Sequence, residues 1–352
     1  METSSVNLAD AEHWRALLDR LPRFRRDLYY TPEYYAANAT WAPGEAICWA
    51  ARDGDRLAVY PFFRRSVNEL DLLPLDRPCF DIEGAYGYNG MAVNCDDPDF
   101  IAAVYAGFAA FCASENIIAE FTRFHPLLQN HRLAAGHMPT YYLHDTVIID
   151  LSAGYDVVWT EGYDAKNRNM IRKALKSGVS CRESADWEGF RRQYEATMNH
   201  LQAHPEYYFP PEYYTQLRQG FGPSGSCRIL EAVWEGTTVA SLLLLLYDGF
   251  AHYHLSARNP EFSRLAAVNL LLDYAVRTAI EAGAQTMHLG GGMNQDDSLM
   301  RFKAGFSPRR GEFHIGLKVH NEPVYRAVCR AWEEKFPEKV EPYRHFLLKY
   351  RK

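Results

Sequence analysis

The chain has 352 residues and a composition typical of a folded protein. Hydrophobic residues make up 47% of it and charged residues 23%, and it contains 23 Tyr, 19 Phe and 7 Trp. This composition excludes a disordered or fibrous chain, and the length predicts two domains of roughly 150 residues each. The net charge of -6 argues against a protein that coats DNA, because such a surface needs a clear excess of Lys and Arg.

Cysteine and histidine spacing predict neither disulfides nor a metal site. The seven cysteines are scattered without a CxxC pair, so a reducing cytoplasm is expected. His200 and His204 have helical spacing but lack the Glu of a zinc-protease signature.

The N-terminus lacks the features of a secretory signal. The longest apolar run, 239–247, is about half of the roughly 20 residues that a membrane-spanning helix needs, so we expect a buried strand and no membrane span.

Two halves of the chain repeat one order of predicted elements. YYTPEYY (29–35) and YYFPPEYY (207–214) each follow an amphipathic stretch and precede a hairpin with a Gly turn. Each hairpin leads to a long helix, at about 98–114 and 264–282, and then to another strand. This is the element order of the GNAT fold.

The repeat predicts an α/β fold of the α+β type with mixed sheets, built from two tandem GNAT-like domains. We expect the first domain at 1–150 and the second at 151–320. The remaining segment, 321–352, has the apolar stripe of a helix and is expected to pack back on the first domain.

Two segments of the first half carry candidate substrate-binding residues. EGAYGYNG (83–90) contains Tyr86, Tyr88 and Asn89 among glycines, which let the backbone approach a ligand. RFHPLLQN follows a predicted strand, so Arg123 and His125 are expected beyond its carboxyl end, where α/β proteins bind ligands. A turn with packed aromatic rings and a structural histidine are the alternatives.

The most basic stretch is KNRNMIRKALKSG (166–178). Arg168, Arg172 and Lys176 recur at i, i+4 and i+8 and therefore share one helical face, which Lys173 flanks. We call these four residues the cationic ridge. The ridge suits a diphosphate or an RNA backbone, whereas a solvated face is the usual explanation of such runs.

A glycine-rich block near residue 300 carries the candidate catalytic residue. HLGGGMNQDDSLMRFKAGFS (288–307) predicts a strand, three glycines and a short helix that begins near Asp296 or Asp297. Lys303 lies between two phenylalanines, and an aromatic setting strengthens the effect of its charge. The further candidate substrate-binding residues of the block are Gly291, Gly292, Phe302 and Phe306.

Neither half is predicted to hold coenzyme A in the usual way. Acetyltransferases that use it bind its pyrophosphate at a Gly-rich turn before the helix that follows the hairpin. The corresponding segments, NPEFSRLAAVN (259–269) and NCDDPDF (94–100), contain no glycine. No cofactor is therefore expected.

Taken in order, YYTPEYY, AYGYNG, RFHPLL, the cationic ridge, PEYY and the LGGG-to-FKAGF block resemble the Fem-like acyltransferases over residues 29–307. The resemblance implies a twin GNAT fold. It also implies transfer of an aminoacyl group from aminoacyl-tRNA to an amine of a peptidoglycan precursor, such as a UDP-linked one. Through the FKxGF pattern, Lys303 takes the family's functional lysine position, and Tyr86 and Tyr88 fall in its acceptor-cleft segment. The sequence lacks the coiled-coil arm that some members insert in the second domain.

An activated ester or thioester requires no enzyme nucleophile, so we assign Lys303 to stabilising the developing oxyanion. The tRNA's own ribose or phosphate, Asp81 and Glu83 are open candidates for accepting the amine proton. Two other functions stay open. One is an N-acyltransferase that uses acyl-CoA or a carrier thioester to modify an amino sugar or natural-product amine, and the other is a noncatalytic module that binds a sugar nucleotide or peptide. The identities of donor and acceptor and the oligomeric state stay open as well.

Overall fold

The computed structural model describes residues 1–292 and 297–352, and the chain forms two compact units. The first unit comprises Met1–Leu143 together with Phe313–Lys352, and the second comprises His144–Glu312. The chain enters the second unit within one strand and leaves it within another. Each unit combines helices with antiparallel and parallel strands, so the predicted mixed α/β class is confirmed.

Helices and strands follow one another in two similar series. The strands are β1 (Glu2–Asn7), β2 (Glu45–Asp53), β3 (Arg56–Ser66), β4 (Phe80–Glu83), β5 (Ala92–Val93), β6 (Ile117–Arg123), β7 (Thr140–Asp150), β8 (Ser180–Ser184), β9 (Cys227–Trp234), β10 (Thr237–Tyr247), β11 (Phe250–Arg258), β12 (Thr286–Gly290) and β13 (Arg310–Val319). The α-helices are α1 (Ala11–Asp19), α2 (Pro32–Asn38), α3 (Pro98–Ser114), α4 (His131–Ala134), α5 (Tyr155–Val157), α6 (Ala165–Lys176), α7 (Trp187–Leu201), α8 (Pro211–Phe221), α9 (Ala267–Glu281), α10 (Ser298–Ala304), α11 (Glu322–Lys335) and α12 (Pro337–Tyr343). Within the described ranges, no helix combines the length and apolar character needed to cross a membrane.

The predicted internal repeat is present in the order of these elements. The first series is β1-α1-α2-β2-β3-β4-α3-β6-α4-β7, and the second is β8-α7-α8-β9-β10-β11-α9-β12-α10-β13. The two PEYY segments form the starts of α2 and α8, where proline suits the first helical position. The short strand β5 is an addition to the first series.

In the first unit the strand order is β1-β2-β3-β4-β6-β13, and β5 pairs with β3. β4 and β6 run parallel, because α3 carries the chain back between them. Apolar side chains of β2, β3 and α3 form a buried core in which Phe108 packs against Trp49 and Tyr60, with ring centroids 5.1 Å apart in each pair. This core positions the carboxyl ends of β4 and β6, which carry the candidate residues of this unit.

In the second unit the strand order is β7-β12-β11-β10-β9-β8. The core is formed mainly by apolar side chains of β10 and α9, so the apolar run 239–247 is a buried strand as predicted. β11 and β12 run parallel, but their pairing ends at His252 and His288 while β11 continues to Arg258. The carboxyl half of β11 therefore extends beyond this pairing, next to the glycines that follow β12.

The C-terminal segment belongs to the first unit. Val328 and Trp332 of α11 are fully buried and join a core that includes Ile118 and Ala119 of β6. Buried residues of β6 and the apolar stripe of α11 thus share one cluster, which also includes Tyr350 near the end of the chain.

Candidate active site

Lys303 lies in a short helix whose ends are fixed by hydrogen bonds. α10 begins directly after Asp297, whose Oδ1 accepts a hydrogen bond from Met300 N–H at 2.7 Å. The predicted helix start near Asp297 is confirmed, whereas Asp296 lies outside the described residues. Phe306 N–H donates to Lys303 O at 2.9 Å. The helix therefore holds Lys303 in its last turn.

The Lys303 amine is buried, and the described residues around it include a polar partner and an aromatic ring. The residue is 7% exposed. Its Nζ donates to Gly291 O at 2.7 Å and lies 5.7 Å from the centroid of the Tyr253 ring. Burial lowers the pKa of Lys303 to about 8, against the opposing effect of the Asp297 carboxylate. The amine is mainly protonated at neutral pH, and a buried cation acts strongly on negative charge that develops beside it.

Two of the predicted glycines let the backbone pack closely against the side chains of His144 and Asp297. A Cβ on Gly291 would lie 2.6 Å from the His144 ring, and a Cβ on Gly292 would overlap the Asp297 carboxylate. A side chain at either position would displace a neighbour of α10. The glycines therefore have a packing role here, and Gly291 also supplies the carbonyl that accepts from Lys303.

The two phenylalanines that flank Lys303 in the sequence have different environments. Phe306 is fully buried and packs edge to face on Tyr163, with centroids 5.1 Å apart. Phe302 is half-buried and lies 5.4 Å from Phe306. Phe306 thus anchors α10 in the core, and Phe302 is the one of the pair that retains surface for a ligand.

The cationic ridge on α6 divides into one residue that serves the fold and three that face solvent. Arg168 Nη1 donates to the carbonyls of three residues between 159 and 163, which form the turn before α6. The Arg172 guanidinium lies 5.4 Å over the Trp159 ring. The exposed members of the ridge are Arg172, Lys173 and Lys176.

In the first unit, the glycine-tyrosine loop after β4 is part of an aromatic cluster. Tyr88 is half-buried, and its ring contacts those of Tyr29 at 5.5 Å and His125 at 5.3 Å. Tyr86 is also half-buried, and its carbonyl accepts a hydrogen bond from Tyr34 Oη at 2.7 Å. Packing accounts for most of this aromatic surface, and the exposed parts of Tyr86 and Tyr88 are what the loop offers to a ligand.

Asn89 and Arg123 connect the carboxyl ends of β4 and β6. Asn89 is 1% exposed, and its Oδ1 accepts from Arg123 N–H at 2.9 Å while Asn89 N–H donates to Arg123 O at 2.7 Å. The Arg123 guanidinium also approaches the carbonyls of Gly84 and Ala85. Both predicted binding residues therefore fill the space between the two strands with the protein's own hydrogen bonds.

The two carboxylates considered as proton acceptors are held in ion pairs. Asp81 is fully buried, and its two oxygens accept from Arg65 Nε at 2.7 Å and Arg351 Nε at 2.6 Å. Glu83 pairs with Arg123 and Arg65, each at 2.6 Å. Burial favours a higher pKa of Glu83, but the two guanidinium groups outweigh it and hold the pKa below its usual range. Glu83 is therefore poorly suited to accept a proton at neutral pH, and both oxygens of Asp81 are already engaged by arginines.

His125 occupies a structural position. Its Nε2 lies 2.9 Å from Asp27 Oδ2, with both side chains fully buried. Its Nδ1 accepts from the backbone N–H groups of Leu127 and Leu128 at 3.2 and 3.3 Å. Because both ring nitrogens are engaged inside the protein, His125 orients the loop after β6.

Comparison with known proteins identifies the type of domain in the second half of the chain. Residues 165–303 match the family model of the acetyltransferase (GNAT) domain. The match lies within the second unit, whose fold is thus of the GNAT type. The matched segment starts with α6 and ends at Lys303, so it includes both the cationic ridge and the buried amine. The comparison with curated proteins gives no match.

Solved structures share the fold over most of the chain. FemX is 14% identical, with a TM-score of 0.67, and the match covers 93% of this chain and 99% of FemX. The C-terminal domain of a putative lysylphosphatidylglycerol synthetase from Agrobacterium fabrum is 14% identical, with a TM-score of 0.54 and coverage of 89% and 92%. A conserved protein of unknown function from Bacteroides thetaiotaomicron VPI-5482 is 10% identical, with a TM-score of 0.56 and coverage of 90% and 99%. The tandem GNAT, Fem-like fold is thus confirmed.

The structure groups the predicted site residues by unit. In the GNAT domain, the glycines after β12 and the helix α10 meet at the Lys303 amine. The members in the first unit, at the ends of β4 and β6, are Tyr86, Tyr88, Asn89, Arg123 and His125. The members in the second unit are Arg168, Arg172, Lys173, Lys176, Gly291, Gly292, Phe302, Lys303 and Phe306.

The sequence pattern missed two residues of the GNAT domain that bear on Lys303. Tyr253, whose ring faces the amine, follows the last β11 residue that pairs with β12. Asn167 is 6% exposed and shares the buried face of α6 with Ile171 and Ala174. A polar residue at i, i+4, i+7 spacing with apolar ones is a signal of a buried hydrogen bond, and it was available in the sequence.

Proposed function

We propose that the chain is an N-acyltransferase that transfers an aminoacyl group from aminoacyl-tRNA to an amine of a cell-wall precursor or another small acceptor, in the cytoplasm. The observation that supports it most is the buried Lys303 ammonium beside Gly291, in a GNAT domain whose fold is shared with FemX. The second relative, which is named for a lysyl-bearing lipid, fits an aminoacyl donor as well.

In this reaction a neutral amine attacks the ester carbonyl, the C–N bond forms, and the C–O bond to the ribose breaks. The carbonyl oxygen carries negative charge in the transition state, and Lys303 stabilises that charge. A single well-placed donor contributes about 3 kcal/mol to such stabilisation. Since Asp81 and Glu83 are held by arginines, the amine proton passes to the departing ribose oxygen or a phosphate of the tRNA.

The exposed cations of the ridge provide the contact to the RNA backbone. Arg172, Lys173 and Lys176 face solvent on α6. Each phosphate contact that forms releases counterions, so binding is expected to weaken steeply with salt.

Ribonuclease treatment of a charged-tRNA mixture is expected to abolish amide formation by the purified protein. Two variants test the contact to tRNA, Lys173→Ala and Lys176→Ala. Each is expected to weaken tRNA binding several-fold and to lower its salt dependence, and to leave the free energy of unfolding unchanged. Arg168→Ala is the contrasting variant, because loss of its bonds to three carbonyls destabilises the turn before α6. Activity that survives ribonuclease would exclude the tRNA donor.

An acyl-CoA donor is the second candidate, and two observations favour it. The family model is that of an acetyltransferase domain, and α9 begins at Ala267 without a side-chain cap. Backbone N–H groups at a helix start bind phosphate even where glycine is missing. Coenzyme A is then expected to raise the melting temperature, and a protein that is not stabilised by it up to millimolar concentration would exclude this donor.

A further inference from the structure

The C-terminal end of α10 is packed against the start of α6 at Gly305, two residues after Lys303. Asp164 N–H donates to Gly305 O at 2.9 Å. A Cβ on Gly305 would overlap Asn167 Nδ2 and lie 2.9 Å from Asp164 Oδ2. Only a hydrogen atom fits there, so Gly305 brings the two helices into backbone contact.

The amide of Asn167 connects this contact to a third element. Asn167 Oδ1 accepts from Asn269 Nδ2 at 2.7 Å, and Asn269 lies in the first turn of α9. That bond orients the amide with its nitrogen toward Gly305. Asn167 N–H in turn donates to Asp164 Oδ1 at 2.6 Å, which starts α6. The Asn167 side chain, on α6, is therefore bonded to α9 and lies against Gly305 at the end of α10.

A displacement of Gly305 is expected to move Lys303 by nearly the same distance, because the two residues are close together at the end of one short helix. α10 has seven residues, and two positions along a helix span about 3 Å. A shift of 1 Å along the bond would lengthen the 2.7 Å contact of Lys303 Nζ with Gly291 O to about 3.7 Å, beyond hydrogen-bond distance.

We infer that Asn167 is a positioning residue that sets the location of the Lys303 amine through Gly305. The inference rests on the proposed role of Lys303 in acyl transfer, but the position of the amine can be measured without activity. Misplacement by about 1 Å typically lowers an enzymatic rate by 10- to 100-fold.

The test compares Asn167→Leu with Asn94→Leu. Asn94, in the first unit, is the control, because its replacement removes two side-chain hydrogen bonds, with Leu57 N–H at 2.8 Å and Asp55 O at 2.7 Å, from a different part of the fold. The readout is the titration of Lys303 by NMR of ¹³C-labelled lysines, with the signal assigned by its loss in Lys303→Met.

In Asn167→Leu the pKa of Lys303 is expected to fall below about 8, because the amine stays buried and loses the carbonyl that favours its charged form, and kcat is expected to fall at least 10-fold with KM little changed. In Asn94→Leu both are expected to stay unchanged. If Asn167→Leu fails to fold, Asn269→Ala removes only the donor that orients the amide and gives the same readout. An unchanged Lys303 titration in a folded variant overturns the inference. A changed titration in a protein that lacks acyl transfer supports the inference and refutes the proposed function.

Discussion

Replacing Lys303 with methionine is expected to stabilise the protein and to remove at least 99% of its transferase activity. The side chain is 7% exposed and its pKa is lowered from 10.5 to about 8 by burial. This lowering of the pKa means that the charged amine destabilises the folded state by about 3 kcal/mol. Loss of the bond to Gly291 O offsets about 1 to 2 kcal/mol of the gain. Loss of one oxyanion donor lowers kcat by about 100- to 1000-fold.

The pH dependence of stability identifies the charge as the cause. Because the pKa in the folded protein lies below that in the unfolded chain, the unfolded chain binds more protons between pH 8 and 10.5. The free energy of unfolding is therefore expected to rise with pH across this window, and the destabilisation is complete below pH 8. Lys303→Met is expected to remove this rise, whereas Lys176→Met, at an exposed position of the same unit, is expected to leave it unchanged.

Urea unfolding at pH 7 and pH 10 measures these differences, and initial rates measure the activity. Transfer by the natural protein is expected to decline above pH 8 as Lys303 loses its proton. A Lys303→Met protein with the original rate would rule out the catalytic role. Lys303→Met is expected to raise the free energy of unfolding more at pH 7 than at pH 10. A smaller gain at pH 7 than at pH 10 would contradict the stability account.

The elements that the sequence predicts best are those with strong periodicity and clear boundaries. The helix expected at 98–114 is α3, with Asp97 as its cap and proline at its start. The bounds of β4 are hard to predict, because the strand has only four residues and Asp81 is one of them. The pattern of such a strand is too short to stand out, and the charge at its buried position is tolerated only because arginines from distant parts of the chain pair with it.

The sequence identifies candidate residues, but it does not show which of them hold the fold together and which remain available to a ligand. Arg168 and Arg172 have the same spacing signal, yet Arg168 is held by backbone carbonyls and Arg172 lies on an indole at the surface. Tyr253 and Lys303 are fifty positions apart, and only the parallel pairing of β11 and β12 brings the ring near the amine. Residue types and local periodicity do not contain that information, because it arises from which strands become neighbours.

Replacing Asp81 with alanine is expected to have the largest effect on the stability of the first unit. Asp81 is fully buried between Arg65 and Arg351, whose side chains are 10% and 13% exposed. Removal of one member of a buried ion pair typically costs 3 to 5 kcal/mol, because the remaining charge is left in a poorly solvated site. The expected loss in the free energy of unfolding of Asp81→Ala is therefore about 3 to 5 kcal/mol.

Arg351→Met is expected to cost less than Asp81→Ala, because the network is asymmetric. Without Arg351, Asp81 keeps its bond to Arg65 Nε at 2.7 Å. Without Asp81, Arg351 keeps only the carbonyls of Arg65 and Ser66 as its partners among the described contacts. Glu341→Ala is the surface control, since its ion pair with Arg344 is largely exposed and such pairs contribute about 0 to 1 kcal/mol.

Urea unfolding of the three variants is expected to rank them as Asp81→Ala, Arg351→Met and Glu341→Ala, from the largest loss to the smallest. Asp81→Ala leaves Arg351 without an opposite charge among its described contacts, Arg351→Met removes one of the two arginines that pair with a buried carboxylate, and Glu341→Ala removes only an exposed ion pair. If Arg351→Met proves as costly as Asp81→Ala, then the docking of the last residues, and not the charge on Asp81, is what stabilises the edge of β4. An Asp81→Ala protein as stable as the Glu341→Ala control would mean that water reaches the arginines once the carboxylate is gone.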